Sequence, residues 1–189
     1  MTLPAGWAIE ALWLSWGLYW WWSSRDVKRA RRRESPASRA AHLLPLAVVA
    51  LLLGVPVVPG WLGERWLAPG AAAYWVGTLL VAAGLGLSVW ARILLGGNWS
   101  ATVTLKEGHQ IVRAGPYRLV RHPIYTGLLL GFAGTAVARG EWRGLLAVAI
   151  AAASLWRKLR LEERWLTEEF GAGYADYQRQ TRALIPFIL

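Results

Sequence analysis

Long runs without charge constrain this chain more than any other feature of its sequence. Residues 43–63 and residues 70–91 contain no Asp, Glu, Lys or Arg. A helix needs about 20 apolar residues to cross the hydrocarbon core of a bilayer, so each run is long enough for one span. Hydrophobic residues make up 56% of the chain and charged residues only 17%, which leaves too little polar surface for a soluble domain. The sequence therefore predicts an integral membrane protein.

The remaining apolar segments predict three further spans. The first 24 residues carry one charge, Glu10, and six tryptophans, and the basic run "RDVKRARRR" follows them. A cleaved signal peptide has the opposite charge order, so this segment is predicted to be a span that is retained. Residues 123–138 and 144–156 are uncharged but short. They fit either a hairpin of two short spans or a re-entrant pair, and the hairpin is the favoured interpretation.

We therefore predict an all-α integral membrane fold of one domain, residues 1–189, with about five transmembrane helices. The spans are predicted near residues 4–23, 41–60, 70–94, 123–139 and 142–160. Residues 1–95 hold the three N-terminal spans, and residues 96–189 hold a long loop, the helical hairpin and C-terminal helices.

The distribution of basic residues predicts the orientation, because cytoplasmic loops collect Lys and Arg. With the loop after the first span inside, 18 basic residues lie on the cytoplasmic side and three lie outside: Arg65, Arg139 and Arg143. The N-terminus is then outside and the C-terminus cytoplasmic, in the inner membrane of a bacterium. A basic face against anionic lipid headgroups explains the net charge of +10. The lipid bilayer is therefore the predicted partner, and no nucleic acid partner is predicted.

Several classes of chemistry find no support in the sequence. The chain has no cysteine, which excludes disulfides, thiolate catalysis and cysteine metal sites. Its three histidines, His42, His109 and His122, lack a metal-ligand spacing such as HExxH, and there is no Gly-rich phosphate loop or nucleophile elbow. No metal site is predicted.

Two stretches outside the spans are too long to be simple connections. Residues 96–125 contain a "TVTL" alternation and a Gly-Pro turn, which predict extended chain folded against the membrane. In the second stretch, residues 156–189, Leu159, Leu166 and Phe170 recur at helical spacing before the glycines of "FGAGYADY", which are predicted to break the helix. Both stretches are predicted on the cytoplasmic side, so they are expected to meet.

A set of motifs in these stretches resembles a known family. The chain reads "HQIVRAGPYRLVRHPIYTG" at 109–127, followed by "RLEERWL", "FGAGYADY" and "IPFI". Together these motifs resemble the isoprenylcysteine carboxyl methyltransferase family and its bacterial relatives, which are similar to phospholipid N-methyltransferases. The resemblance covers about residues 88–189, whereas the N-terminal spans match only in character.

The resemblance implies a membrane methyltransferase that uses S-adenosyl-L-methionine, held between the cytoplasmic loop and the last helices. The positions that match the family's cofactor contacts are His109, Gln110, Ile111, Val112, Tyr117, His122, Pro123, Ile124, Tyr125 and Glu162. The family's substrate-side arginine falls near Lys158, with Arg157 and Arg160 beside it, so these three residues are the predicted catalytic group.

The residue types in this set suit the cofactor. S-adenosylmethionine carries an ammonium, a carboxylate and a sulfonium, so its site needs an anion, hydrogen-bond donors and aromatic walls. Glu162 supplies the anion, His122 or a nearby Arg the donors, and Tyr117 and Tyr125 the walls. Two of these residues also have a purely structural explanation. His122 precedes a proline that starts a helix and could cap that helix, and Glu162 lies four residues after Lys158 and could pair with it on the helix surface. Glu163 is predicted to be the solvated neighbour.

Three functions remain open at this point. The first is methyl transfer to a lipophilic acceptor: a prenylcysteine-like carboxylate, a lipid amine or a thiol. The second is an NADPH-dependent reductase related to sterol reductases, and the third is a non-catalytic membrane scaffold. The oligomeric state is also open, because Gly77, Gly84 and Gly86 permit close helix packing within one chain as well as between two.

Overall fold

The computed structural model describes residues 7–25, 27–100, 102–106 and 111–186. The described part is predominantly helical, in agreement with the predicted class. Its helices are α1 (Ala8–Ser23), α2 (Pro36–Gly54), α3 (Ala71–Leu95), α4 (Pro123–Arg139), α5 (Trp142–Phe170) and α6 (Ala172–Gln180). Two short strands, β1 (Ala30–Arg33) and β2 (Thr104–Lys106), complete the regular structure with 3-10 turns at Trp61–Gly63, Gly96–Asn98 and Gly115–Arg118.

Each predicted span coincides with a helix, but three boundaries differ. The second helix begins earlier, at Pro36, because the Ser35 side chain accepts a hydrogen bond from the Ser38 amide and caps it. It also ends earlier, because Pro56 forces the preceding Val55 into extended backbone. The fifth helix continues ten residues beyond the predicted span to Phe170, where Gly171 with φ 51° ends it.

Two helices in the described residues are long and apolar enough to cross a membrane: Pro36–Gly54, and Ala71–Asn98 including the turn after α3. Large apolar side chains are exposed on the outer faces of the helices, among them Leu18, Leu51 and Leu79. Such a surface suits a lipid solvent, in which apolar side chains need no burial. That α1, α4 and α5 also span the membrane stays a prediction.

Helices α3 and α4 form the closest pair of the fold because glycines remove the side chains between them. A Cβ on Gly84 would lie 2.4 Å from the Gly127 carbonyl oxygen, and one on Gly77 would lie 2.4 Å from the Gly134 carbonyl oxygen. Among the described residues, no atom lies within 4 Å of the corresponding position on Gly86. Gly77 and Gly84 therefore serve packing within the chain, and Gly86 does not.

The loops predicted to be cytoplasmic meet at one end of the helical bundle. Strand β2 lies within the predicted extended segment and pairs antiparallel with β1, which comes from the basic loop after α1. The three basic residues predicted to lie outside gather at the other end, where the Arg65 guanidinium donates to the Arg139 carbonyl and Arg143 donates to the carbonyls of Val55 and Pro56. The predicted sorting of basic residues thus corresponds to two separate ends of the molecule.

Candidate active site

The turn before α4 is fixed by buried tyrosines. Gly115 has φ 56°, and a Cβ there would meet the Leu94 side chain at 2.5 Å, so the turn requires glycine. The Tyr117 hydroxyl donates to the Ala91 carbonyl of α3 at 3.3 Å, and the Tyr177 hydroxyl of α6 donates to the Tyr117 carbonyl at 2.6 Å. Burial raises the pKa of Tyr177 to about 12, so its hydroxyl keeps the proton that it donates.

The C-terminal segment returns over this turn and holds His122 in place. The amide of Arg121 donates to the Arg182 carbonyl at 2.8 Å, and the amide of His122 donates to the Ala183 carbonyl at 3.0 Å. One helical turn later, the Thr126 hydroxyl donates to the Leu184 carbonyl at 2.6 Å. The His122 backbone is therefore fixed from both sides, and Pro123 starts α4 directly after it.

Glu162 of α5 lies at the centre of a polar cluster with the residues of this turn. The Tyr125 hydroxyl donates to Glu162 Oε1 at 2.6 Å, His122 Nδ1 lies 3.5 Å from Oε2, and Lys158 Nζ lies 4.0 Å from Oε1. The rings of His122 and Tyr125 stack with their centroids 5.4 Å apart. The Glu162 side chain keeps 20% of its surface exposed, so the carboxylate can still meet a ligand.

Glu163 is not the solvated neighbour that the sequence predicted. Its side chain is only 13% exposed, and Oε1 accepts a hydrogen bond from Arg121 Nε at 2.6 Å and lies 3.2 Å from His122 Nε2. Gln178 of α6 donates to the other oxygen at 3.2 Å. The prediction was wrong because the returning C-terminal segment and α6 cover the helix face that a single-helix pattern assigns to solvent.

The environment of Glu163 predicts acid sensitivity. Burial alone would raise the pKa of Glu163, but hydrogen bonds and charge from His122 and Arg121 outweigh it and lower the pKa from 4.5 to about 2. The unfolded chain therefore binds this proton first, so the stabilising effect is complete above about 4.5 and is lost as the pH falls towards 2. In the wild type, the apparent Tm of the detergent-solubilised protein should therefore fall as the pH drops from 4.5 towards 2. Glu163→Gln is expected to make this fall in Tm with pH less steep. Equal slopes in wild type and variant would contradict the expectation.

A cavity of about 370 Å³ opens beside the Glu162 cluster. Its apolar wall is formed by Trp16 and Trp20 of α1, Leu43 and Leu46 of α2, and Leu128 and Leu155 of the hairpin. Its polar residues are His42, Asn98, Ser100, Thr102, Thr104, Tyr117, Arg121, His122, Tyr125, Lys158 and Glu162. The volume lies within the range of small-molecule sites in proteins.

The structure brings most of the predicted site residues together. Tyr117, His122, Ile124, Tyr125, Lys158 and Glu162 line the cavity, and Pro123 is buried beside them. Val112 packs against the buried cluster that contains Tyr117, and Ile111 is half-buried next to it. His109 and Gln110 lie outside the described residues.

Of the three basic residues predicted to be catalytic, only Lys158 faces the cavity. Its side chain is 9% exposed and its ammonium lies 5.3 Å from the Tyr125 ring centroid. Arg157 is exposed and donates to the Ser38 carbonyl at 3.2 Å, and Arg160 is exposed as well. Adjacent residues of a helix point about 100° apart, so one cavity wall cannot take all three.

Sequence reasoning missed a second buried polar group in the same region. His42 of α2 is fully buried and lines the cavity, and Glu34, 5% exposed, places Oε1 3.4 Å from its Nε2. Neither residue belongs to the motifs that carry the family resemblance. A histidine and a carboxylate eight residues apart, on either side of a helix start, give no recognisable pattern in a single sequence.

Comparison with known proteins decides the family. The sequence profile of the phospholipid methyltransferase family matches residues 72–173, more than half of the chain. Protein-S-isoprenylcysteine O-methyltransferase A of Arabidopsis thaliana is 30% identical over 138 residues, covering 68% of this chain and 68% of the relative. The chain belongs to the isoprenylcysteine carboxyl methyltransferase family. The resemblance drawn from the motifs is thereby confirmed, and this membership makes the chain a methyltransferase.

A solved structure shares the fold of this family member. The structure of the eukaryotic intramembrane Ras methyltransferase, isoprenylcysteine carboxyl methyltransferase, superposes with a TM-score of 0.52 and 24% sequence identity. The match covers 84% of this chain and 55% of that chain, so this protein corresponds to about half of the solved one. Since that structure is of an intramembrane enzyme, the likeness supports a membrane fold.

A weaker similarity reaches a different enzyme class. Steroid 5-alpha-reductase DET2 of Gossypium hirsutum is 28% identical over 159 residues, covering 76% of this chain and 57% of the relative. This similarity is the reason to retain the reductase as the second candidate.

Proposed function

We propose that this protein transfers the methyl group of S-adenosylmethionine to a lipophilic acceptor dissolved in the membrane. The observation that carries the proposal is the cavity of about 370 Å³ in a family of methyltransferases, with a polar end at Glu162 and an apolar wall from α1 and α2. A charged cofactor suits the polar end, and an apolar acceptor suits the wall.

The residues at the polar end fit the cofactor by their chemistry. The Glu162 carboxylate would bind the ammonium group, because it is exposed to the cavity and already positioned by the Tyr125 hydroxyl. His122 would supply a donor for the carboxylate, and the rings of Tyr117 and Tyr125 would bound the sulfonium. When bound, S-adenosylmethionine supplies an electrophilic methyl group. His109, Gln110, Ile111 and Val112 remain proposed cofactor contacts by the family resemblance.

The protein's own contribution to the reaction is alignment and exclusion of water. Methyl transfer is an in-line displacement in which charge disperses, so a fixed geometry and a dry site lower its barrier. Trp16 and Trp20 cover the cavity on the α1 side, and Trp20 packs edge-to-face on Trp99 with ring centroids 5.3 Å apart. Lys158 is the proposed acceptor-side residue, since it alone of the three predicted basic residues reaches the cavity.

The membrane arrangement proposed for this function has five spans, with the N-terminus outside and the site at the cytoplasmic face of a bacterial inner membrane. The gathering of Arg65, Arg139 and Arg143 at the end opposite the site supports it. A reporter fused after Arg39 should give a cytoplasmic signal, and a periplasmic signal would reverse the orientation.

Binding of labelled S-adenosylmethionine and of NADPH to the purified protein in detergent distinguishes the candidate functions. We expect saturable binding of S-adenosylmethionine, displaced by S-adenosylhomocysteine and not by NADPH. Binding of NADPH alone would favour the reductase, whereas binding of neither would favour a scaffold. Methylation of a prenylcysteine, phosphatidylethanolamine and a lipophilic thiol would then identify the acceptor class.

A further inference from the structure

A buried histidine of α2, His42, lies in the wall of the cavity, and the buried carboxylate of Glu34 lies beside it. His42 has no exposed surface, and neither ring nitrogen makes a hydrogen bond to any residue that the structure describes. Its Nε2 lies 3.4 Å from Glu34 Oε1 in an ion-pair contact, which leaves Nδ1 without a partner in the described part of the chain. Buried polar atoms are nearly always paired, so the unpaired nitrogen of a residue that lines the cavity indicates a polar contact that a substrate can make.

The pair is held rigidly by its surroundings. Glu34 Oε1 accepts the Val103 amide at 3.0 Å, and Oε2 accepts the Ser38 hydroxyl at 2.8 Å. The Ser154 hydroxyl of α5 donates to the His42 carbonyl at 2.9 Å, one helical turn before Lys158. The imidazole therefore has a fixed position in the cavity wall, beside a carboxylate that other contacts orient.

We propose that His42 accepts a proton from the acceptor during methyl transfer, that Glu34 positions and stabilises the resulting imidazolium, and that the acceptor is a lipophilic thiol. The proposal rests on the proposed function and specifies its acceptor. A histidine whose second nitrogen faces a carboxylate is the usual arrangement of a general base, because the carboxylate fixes the ring and stabilises its charged form.

The proposed step balances. The S–H bond of the thiol breaks and its proton goes to His42 Nδ1, while the electron pair left on the thiol sulfur forms the new bond to the methyl carbon. The bond between the methyl carbon and the sulfonium sulfur breaks, and its electron pair stays on that sulfur. The products are a methyl thioether and S-adenosylhomocysteine, and the positive charge moves from the sulfonium to the imidazolium beside Glu34.

A thiol suits this arrangement better than the other acceptors that the family's chemistry allows. A carboxylate acceptor has no proton to lose, so a general base formed by His42 and Glu34 would not assist its methylation. A lipid amine enters as an ammonium, which the Lys158 ammonium lining the same cavity repels. A neutral thiol on an apolar chain fits the Trp and Leu wall and still has a proton to give.

The charged groups around His42 come from two elements. Glu34 precedes α2, and Lys158, Arg157 and Glu162 act on the ring electrostatically from α5. Only the neutral ring accepts a proton, so the pH profile of the reaction should show an acidic limb for a thiol acceptor and not for a carboxylate acceptor.

Two probes with the same farnesyl chain test the inference: farnesyl thiol and N-acetyl-S-farnesylcysteine. The wild type is expected to methylate the thiol at least tenfold faster in kcat/KM. His42→Gln should lower the thiol rate by roughly a hundredfold or more and change the carboxylate rate less than about threefold. Glu34→Gln should shift the pH at which the rate with the thiol probe falls on the acidic side. It should not change the pH profile of the carboxylate probe. Glu168→Gln removes an exposed charge from α5 and serves as the matched control.

A readout without turnover accompanies these rates. The chain has three histidines, so 15N labelling gives few ring signals. In the cofactor-free protein, the signal absent from His42→Gln should shift when farnesyl thiol is added. Equal losses on both probes, no loss on the thiol, or an unshifted signal would overturn the inference.

The two proposals fail in different ways. A wild type that binds S-adenosylmethionine but methylates only the carboxylate probe contradicts the thiol inference and leaves the proposed function intact. Absence of S-adenosylmethionine binding contradicts the proposed function itself. If His42→Gln does not fold, the wild-type probe ratio and the Glu34→Gln profile still decide.

Discussion

Replacing Glu162 with glutamine is expected to weaken the binding of S-adenosylmethionine by roughly ten- to a hundredfold. Glutamine keeps the size of the side chain and removes its charge, so the charge-assisted contact to the cofactor ammonium, worth about 1.5 to 3 kcal/mol, is lost. His122→Ala should weaken binding comparably, because His122 lies against Glu162 and stacks on Tyr125. Calorimetry or a labelled-cofactor filter assay measures both effects.

The control for this experiment is Glu168→Gln on the same helix. Glu168 pairs with Arg32 at the surface, where both side chains are about half exposed, and it is absent from the cavity wall. Its replacement should change cofactor affinity little, because exposed ion pairs contribute little. Equal losses at Glu162 and Glu168, or unchanged affinity in both Glu162→Gln and His122→Ala, would mean that the cofactor lies elsewhere.

Replacing Gly84 with leucine is expected to disrupt the packing of α3 on α4. Even the Cβ of alanine would lie 2.4 Å from the Gly127 carbonyl oxygen and 2.7 Å from the Gly131 amide nitrogen. Both contacts are backbone atoms, so no rotamer change relieves them and the helices must separate. We expect Gly84→Ala to cost roughly 1 to 3 kcal/mol and Gly84→Leu more, measured as a lower apparent Tm in detergent.

Gly86 provides the matched control two residues along the same helix. Nothing lies within 4 Å of its Cβ position and the residue is exposed, so Gly86→Ala should leave the Tm unchanged or raise it slightly, because alanine favours the helix. A drop in Tm for Gly86→Ala equal to that for Gly84→Ala would show that the contact between α3 and α4 does not govern the effect.

The sequence alone determined where the helices lie and which loops share an end of the molecule. Helices at Ala71–Leu95 and Pro123–Arg139 follow from uncharged runs bounded by Gly, Pro and Arg, because these signals act within a few residues of chain. The pairing of β2 with β1 places the basic loop and the loop before α4 at the same end of the molecule, in agreement with the charge sorting. The motifs also identified the family, and with it Tyr125 and Glu162, which the structure brings into contact.

Only the tertiary structure decided which side chains face the cavity. It places Lys158, and not Arg157 or Arg160, in the cavity wall. It also buries Glu163 and brings His42, with Glu34 beside it, to the site. Each of these outcomes depends on contacts between segments far apart in the chain: α2 against α5, and the C-terminal segment over the turn before α4. The periodicity of one helix gives the angle between its side chains but not the neighbour that each one meets, so the burial of a charge is settled only when the helices pack.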